Sequence, residues 1–128
     1  MLAQMHLAEI KARLSSSPIV ETVSVSVEHA GQEYGYFRAR LGLINGDFLE
    51  VAEYFDTVGD STRVHRYRHQ WMDHSQRVLK RCWDNTKHFP SLANFPHHIH
   101  IGSETQVVPG QSLGILEIIE VLEREVSI

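Results

Sequence analysis

The sequence predicts an α+β fold: a five-stranded antiparallel meander with an N-terminal and a C-terminal helix packed on one face. Three observations predict it. Apolar residues recur at helical spacing near both ends, period-two alternation runs through the middle, and short turn signals separate the successive strands.

The first element is an amphipathic helix. Ala3, Leu7, Ile10 and Leu14 form one stripe, and Glu9, Lys11 and Arg13 lie elsewhere on the wheel. It ends at Ser15-Ser16-Ser17-Pro18, because proline stops a helix and favours extended geometry in the residue before it. Val23, Val25 and Val27 then alternate with Thr22, Ser24, Ser26 and Glu28, the pattern of a strand with one buried face. After a turn at residues 29–33, a second strand over Tyr34–Ile44 points Phe37, Ala39, Leu41 and Leu43 one way and Tyr36, Arg38 and Arg40 the other. Asn45-Gly46 predicts a type I′ hairpin, whose two central residues need positive φ, so the third strand, Phe48–Val58, returns antiparallel. Turns at Gly59-Asp60-Ser61 and His74-Ser75-Gln76 bracket a fourth strand, Thr62–Asp73, and a fifth follows at Arg77–Asp84. Residues 85–96 read as a proline-interrupted loop, of a length that in compact domains is commonly functional. After a Gly102-Ser103-Glu104 turn and Pro109, Ile115, Ile118, Ile119, Leu122 and Val126 form the stripe of a last helix.

A chain of 128 residues is the size of one domain, here residues 1–128, and 42% apolar with 22% charged residues is the balance of a globular protein. The lone Cys82 cannot form an internal disulfide. With no basic start leading an apolar run and no stretch near the ~20 apolar residues that span a bilayer, the expected location is the cytoplasm, away from membranes.

Charge is segregated. Residues 41–60 hold five acids and no base, whereas residues 62–88 hold Arg63, Arg66, Arg68, Arg77, Lys80, Arg81 and Lys87 against Asp73 and Asp84. A basic segment in an acidic protein suits an anionic partner, although adjacent acidic and basic strands can also pair with each other. By parity the fourth strand divides into Arg66, Arg68, Gln70 and His65, Tyr67, His69, Trp71. Arg38, Arg40, Arg66, Arg68 and Arg81, with Trp83, are therefore the candidate nucleic-acid contacts: guanidinium forks hold phosphate and aromatic rings stack on unpaired bases. RNA cleavage through a 2′-hydroxyl needs a base, an acid and a cation, which makes His97, His98, His100, Tyr67 and His69 the candidate catalytic groups. Asp84 and Asn85 are the candidate orienting residues. A metal site is the rival use: His98 and His100 share a face in an extended segment, and Asp84 or His88 could complete it. No recognised ligand spacing supports that use, so no metal or cofactor is expected.

The runs Tyr67-Arg68-His69-Gln70-Trp71-Met72-Asp73, Arg81-Cys82-Trp83-Asp84-Asn85 with Lys87-His88, and Phe95-Pro96-His97-His98-Ile99-His100 together resemble the TumE family of prokaryotic toxin–antitoxin components, over about residues 20–125. The resemblance implies the toxin of a type II system that acts on RNA or translation, ribonuclease-like, and is neutralised by a cognate antitoxin. It transfers no residue roles. A noncatalytic module binding an acidic protein partner and a His/Asp metal-dependent hydrolase are the alternatives, and the sequence leaves homodimerisation open.

Overall fold

The structure is a computed structural model that describes residues 2–126. Helix α1 (Leu2–Ser16) leads into strands β1 (Val20–Ala30), β2 (Tyr34–Leu43), β3 (Phe48–Val58), β4 (Ser61–Met72), β5 (Leu79–Asp84), β6 (His98–Ile101) and β7 (Val107–Pro109), and helix α2 (Ile115–Glu125) follows. Among the described residues the sheet is antiparallel throughout and has seven strands in sequence order, where five were expected. The two additional strands are four and three residues long. Period-two alternation needs more residues than that to stand out, so the sequence pattern did not mark them as strands.

Both helices cover one face. Ile10 and Leu14 of α1 and Ile115, Ile118, Ile119 and Leu122 of α2 are fully buried with Phe37, Ala39, Leu41, Leu49, Val51 and Phe55 of the sheet. The helices are also tied to each other, with Arg13 and Ser17 both donating to the Glu123 carboxylate. Buried Glu53 joins three elements: its Oε1 accepts from the Ile115 amide at the start of α2, and its Oε2 lies 2.7 Å from His6 Nε2 of α1. A carboxylate here satisfies an otherwise orphaned helix N-terminal donor and complements the helix dipole.

Two local expectations are corrected. The β1 valines are not core residues. Val23 and Val25 pair with Leu41 and Ala39 on the covered face, but at the sheet edge each remains more than 40% exposed. A bulge between Val25 and Val27 then places Val27 opposite Arg38, on the other face. The β2–β3 turn is not type I′ either. Only Gly46 has positive φ (89°), and its amide donates to the Leu43 carbonyl at 2.9 Å. The loop therefore spans three residues, 44–46, and Tyr36 stands opposite Tyr54, with Arg40 opposite Glu50.

Candidate functional site

The uncovered sheet face gathers side chains from three strands. Arg38 comes from β2, Glu50 and Tyr54 from β3, and Arg66, Arg68 and Gln70 from β4, around a groove of about 600 Å³, and Arg40 of β2 lies beside it on the same face. Part of the basic charge is answered locally. Arg38 meets Glu50 at 2.9 Å, Arg63 meets Asp56 at 2.7 Å, and Arg40 bonds Gln76. Pairing between the acidic and basic strands thus accounts for some of the charge segregation. Arg66 instead lies over the Tyr54 ring, 5.5 Å from its centroid.

Beside the arginines runs an aromatic platform that the sequence did not single out as a site. Tyr36 stacks on His29 (5.3 Å) and on Tyr54 (6.5 Å, 10° between planes), while Tyr34 stacks on Tyr54 (5.9 Å). His65 meets the Tyr54 edge at 5.7 Å, beside the β3–β4 register shift. Tyr34 and Tyr36 are well exposed. The signal was present as Tyr34, Tyr36 and Tyr54 at matching parity, but it becomes a platform only through the β2–β3 register.

At the far end of the same face, Asp84 pairs across the strands with Arg68 on one side and His98 on the other, and His100 pairs with Cys82. Asp84 Oδ1 lies 2.9 Å from His98 Nε2, and Oδ2 lies 3.5 Å from His100 Nε2 and 3.4 Å from Arg68. The three residues are buried, and the Thr86 amide donates to Asp84 Oδ1. Phe89, from the 85–97 loop, stands edge-on to both imidazoles at 5.3 and 6.1 Å. Burial pushes the neighbouring Cys82 thiol up to about 12, so it stays protonated at neutral pH.

The other candidates lie on the covered side. Tyr67 Oη donates to the Gln111 carbonyl at 2.9 Å and, its proton being committed there, accepts from His97 Nδ1 at 3.0 Å. His69, fully buried, donates from Nε2 to the Leu113 carbonyl at 2.8 Å, and its Nδ1 has no partner among the described residues. These groups anchor the segment that leads into α2. Burial holds the His69 imidazole down at about 4 and also lowers His97, while burial and the Asp84 charge raise the Tyr67 phenol. Trp83 is packed into the core, and Arg81, bonded to Glu125, lies over the Trp71 and Trp83 rings. Neither reaches the groove. Asn85 bonds across to β4: its Oδ1 accepts from the Tyr67 amide and its Nδ2 donates to the His65 carbonyl, both at 3.0 Å, extending the β4 contact past the end of β5.

The structure thus divides the sequence candidates. Arg38, Arg40, Arg66, Arg68, Asp84, His98 and His100 share the uncovered face, whereas Tyr67, His69, His97, Arg81 and Trp83 do not. No helix of the described residues is long and apolar enough to cross a membrane. A family model described as Toxin TumE matches residues 10–127. No curated protein and no solved structure matches the chain.

Proposed function

Because the chain belongs to the TumE toxin family, we propose that this toxin acts on single-stranded RNA laid across its uncovered sheet face and is neutralised by a cognate antitoxin protein. The observation that carries the reading is the grouping of Arg38, Arg66 and Arg68 with Tyr36 and Tyr54 around one groove, with Arg40 and Tyr34 beside it on the same face. Guanidinium groups supply phosphate contacts, and exposed rings stack on unpaired bases without demanding a sequence. A strand following the arginines would bring a phosphodiester to Arg68, beside Asp84, His98 and His100, where ribonuclease chemistry would be centred. An acidic antitoxin segment in the same groove would block that path by occupying the same guanidinium groups.

Anisotropy titrations with a labelled single-stranded RNA of mixed sequence test the reading. Wild type should bind with an affinity that falls linearly with log salt, and Arg66→Ala should weaken binding and reduce the salt slope by roughly 1. Tyr36→Ala should cost ~1–3 kcal/mol if a base stacks there. A folded wild-type protein that retains no RNA at low salt would sink the proposal. RNA that is bound but left intact, with and without chelator, would reduce it to an inhibitor that binds without cutting. Growth arrest on induced expression, relieved by a protein encoded beside it, tests the toxin and antitoxin roles together.

A further inference from the structure

The buried cluster at the end of the uncovered face has a feature that its hydrogen bonds leave unexplained. His98 Nδ1 lies 2.9 Å from the Pro96 carbonyl, and His100 Nδ1 lies 3.1 Å from the Glu104 carbonyl. A carbonyl can only accept, so each ring donates its Nδ1–H to the backbone. In the neutral imidazole this leaves Nε2 as a bare lone pair. Both Nε2 atoms face the Asp84 carboxylate, itself only an acceptor when ionised. Three electron-rich groups thus converge within 4.8 Å of one another, all buried. His98 Nε2 is orphaned: Asp84 Oδ1 is near enough, at 2.9 Å, but lies off the line a hydrogen bond requires, and no other partner exists among the described residues. Arg68 answers the carboxylate from its exposed side, yet it can do nothing for two imidazole lone pairs.

From this geometry we infer that Asp84, His98 and His100 form a binding site for one divalent transition-metal ion of the zinc type, ligated through the two Nε2 atoms and the carboxylate. Ligand atoms about 2.0–2.2 Å from such an ion stand roughly 3–3.5 Å apart; the observed 2.9 and 3.5 Å separations, one to each carboxylate oxygen, lie close to that shell, and the three ligand atoms lie within 4.8 Å of one another. The outer partners fit too. Backbone carbonyls fix both imidazole tautomers, and the Thr86 amide and Arg68 hold the carboxylate, which is how outer-shell groups orient metal ligands. Three protein ligands leave a coordination position open, the arrangement of a reactive centre and not of a closed structural one. Phe89 packs edge-on against both imidazoles. The site is assigned independently of the RNA reading, and it revises the expectation that no metal is bound.

The test uses the full-length chain, stripped with chelator and titrated calorimetrically with zinc, and with cobalt(II) as a spectroscopic probe. One equivalent should bind, and cobalt should give the visible absorption of a low-coordinate nitrogen–oxygen site. His98→Gln and Asp84→Asn should abolish stoichiometric binding, whereas His97→Ala and His88→Ala should retain it. If the ligand variants do not fold, nitrogen shifts of wild-type imidazoles serve instead: zinc should move the Nε2 resonances of His98 and His100 and leave His69 in place. Failure of folded wild type to bind a stoichiometric ion overturns the inference, as does binding that persists in both ligand variants or zinc shifts confined to other histidines. Because no nucleic acid is present, the result is separate from the fate of the RNA proposal.

Discussion

Acidification should destabilise the protein through one buried imidazole on the covered side of the sheet. His69 is fully buried, donates from Nε2 to Leu113 and leaves Nδ1 unpaired, so a second proton would have no acceptor. Its folded-state value is depressed to about 4, against about 6.5 in an unfolded chain. Between those values the unfolded state binds the extra proton, so stability is fully present above pH 6.5 and is lost as pH falls toward 4. The whole gap corresponds to about 3 kcal/mol, of which about 2 kcal/mol should disappear between pH 7 and pH 5. Urea unfolding followed by the fluorescence of Trp71 and Trp83 measures it, with His69→Gln as the comparison. Glutamine can still donate to the Leu113 carbonyl but does not titrate. The variant should be the weaker protein at pH 7, yet should lose about 2 kcal/mol less than wild type on going to pH 5. Every other group is common to both proteins and cancels in the difference. Parallel pH dependences for the two would refute the reasoning.

Three further substitutions probe how the fold positions its two faces. Glu53→Ala removes the acceptor for the Ile115 amide and the partner of His6, leaving two inward groups unsatisfied; about 2–4 kcal/mol should be lost in urea unfolding. Gly35→Ala would set a Cβ 2.5 Å from Phe55 Cζ and 2.7 Å from the His29 carbonyl oxygen, and the overpacking should lower stability by roughly 1–3 kcal/mol. Asn85→Ala breaks both links to β4 and should cost about 1–3 kcal/mol, with faster hydrogen exchange at the Tyr67 amide as its local signature.

Sequence and structure agree where the physical signal is local and repeated. Both helices were legible from their stripes, and β2 to β4 from long alternation bounded by turns. The parity division of β4 matches the two sheet faces for Arg66, Arg68 and Gln70 against Tyr67, His69 and Trp71, but His65, read with the second set, falls at the β3–β4 register shift and meets Tyr54 on the uncovered face. Register was not legible. A two-residue turn at Asn45-Gly46 would place Tyr36 opposite Phe55, whereas the three-residue loop places it opposite Tyr54, and in a sheet a slip of one residue exchanges the faces. The aromatic platform was hidden behind that single residue. His97, His98 and His100 read as one pool because they are adjacent in sequence. Strand geometry instead sends His98 and His100 to Asp84, while His97 bonds Tyr67 on the other side. The edge position of β1, which leaves its valines half in water, depends on where the helices end and has no counterpart in the local pattern.

The order of strands has a consequence for how the protein is made. Each strand pairs with the one before it in the chain, so as synthesis proceeds at about 5–20 residues per second the sheet can lengthen one hairpin at a time. The lining of its apolar face cannot be finished on the same schedule. Phe37, Leu49 and Val51 emerge early, after α1, but the cluster they join also includes Ile115, Ile118, Ile119 and Leu122 of α2, the last of the described elements. A ribosome stalled before α2 therefore holds a sheet that is largely paired and still oily on one side, a substrate for chaperones or proteases instead of a working toxin. Only once α2 is made can Ile115, Ile118, Ile119 and Leu122 complete that core.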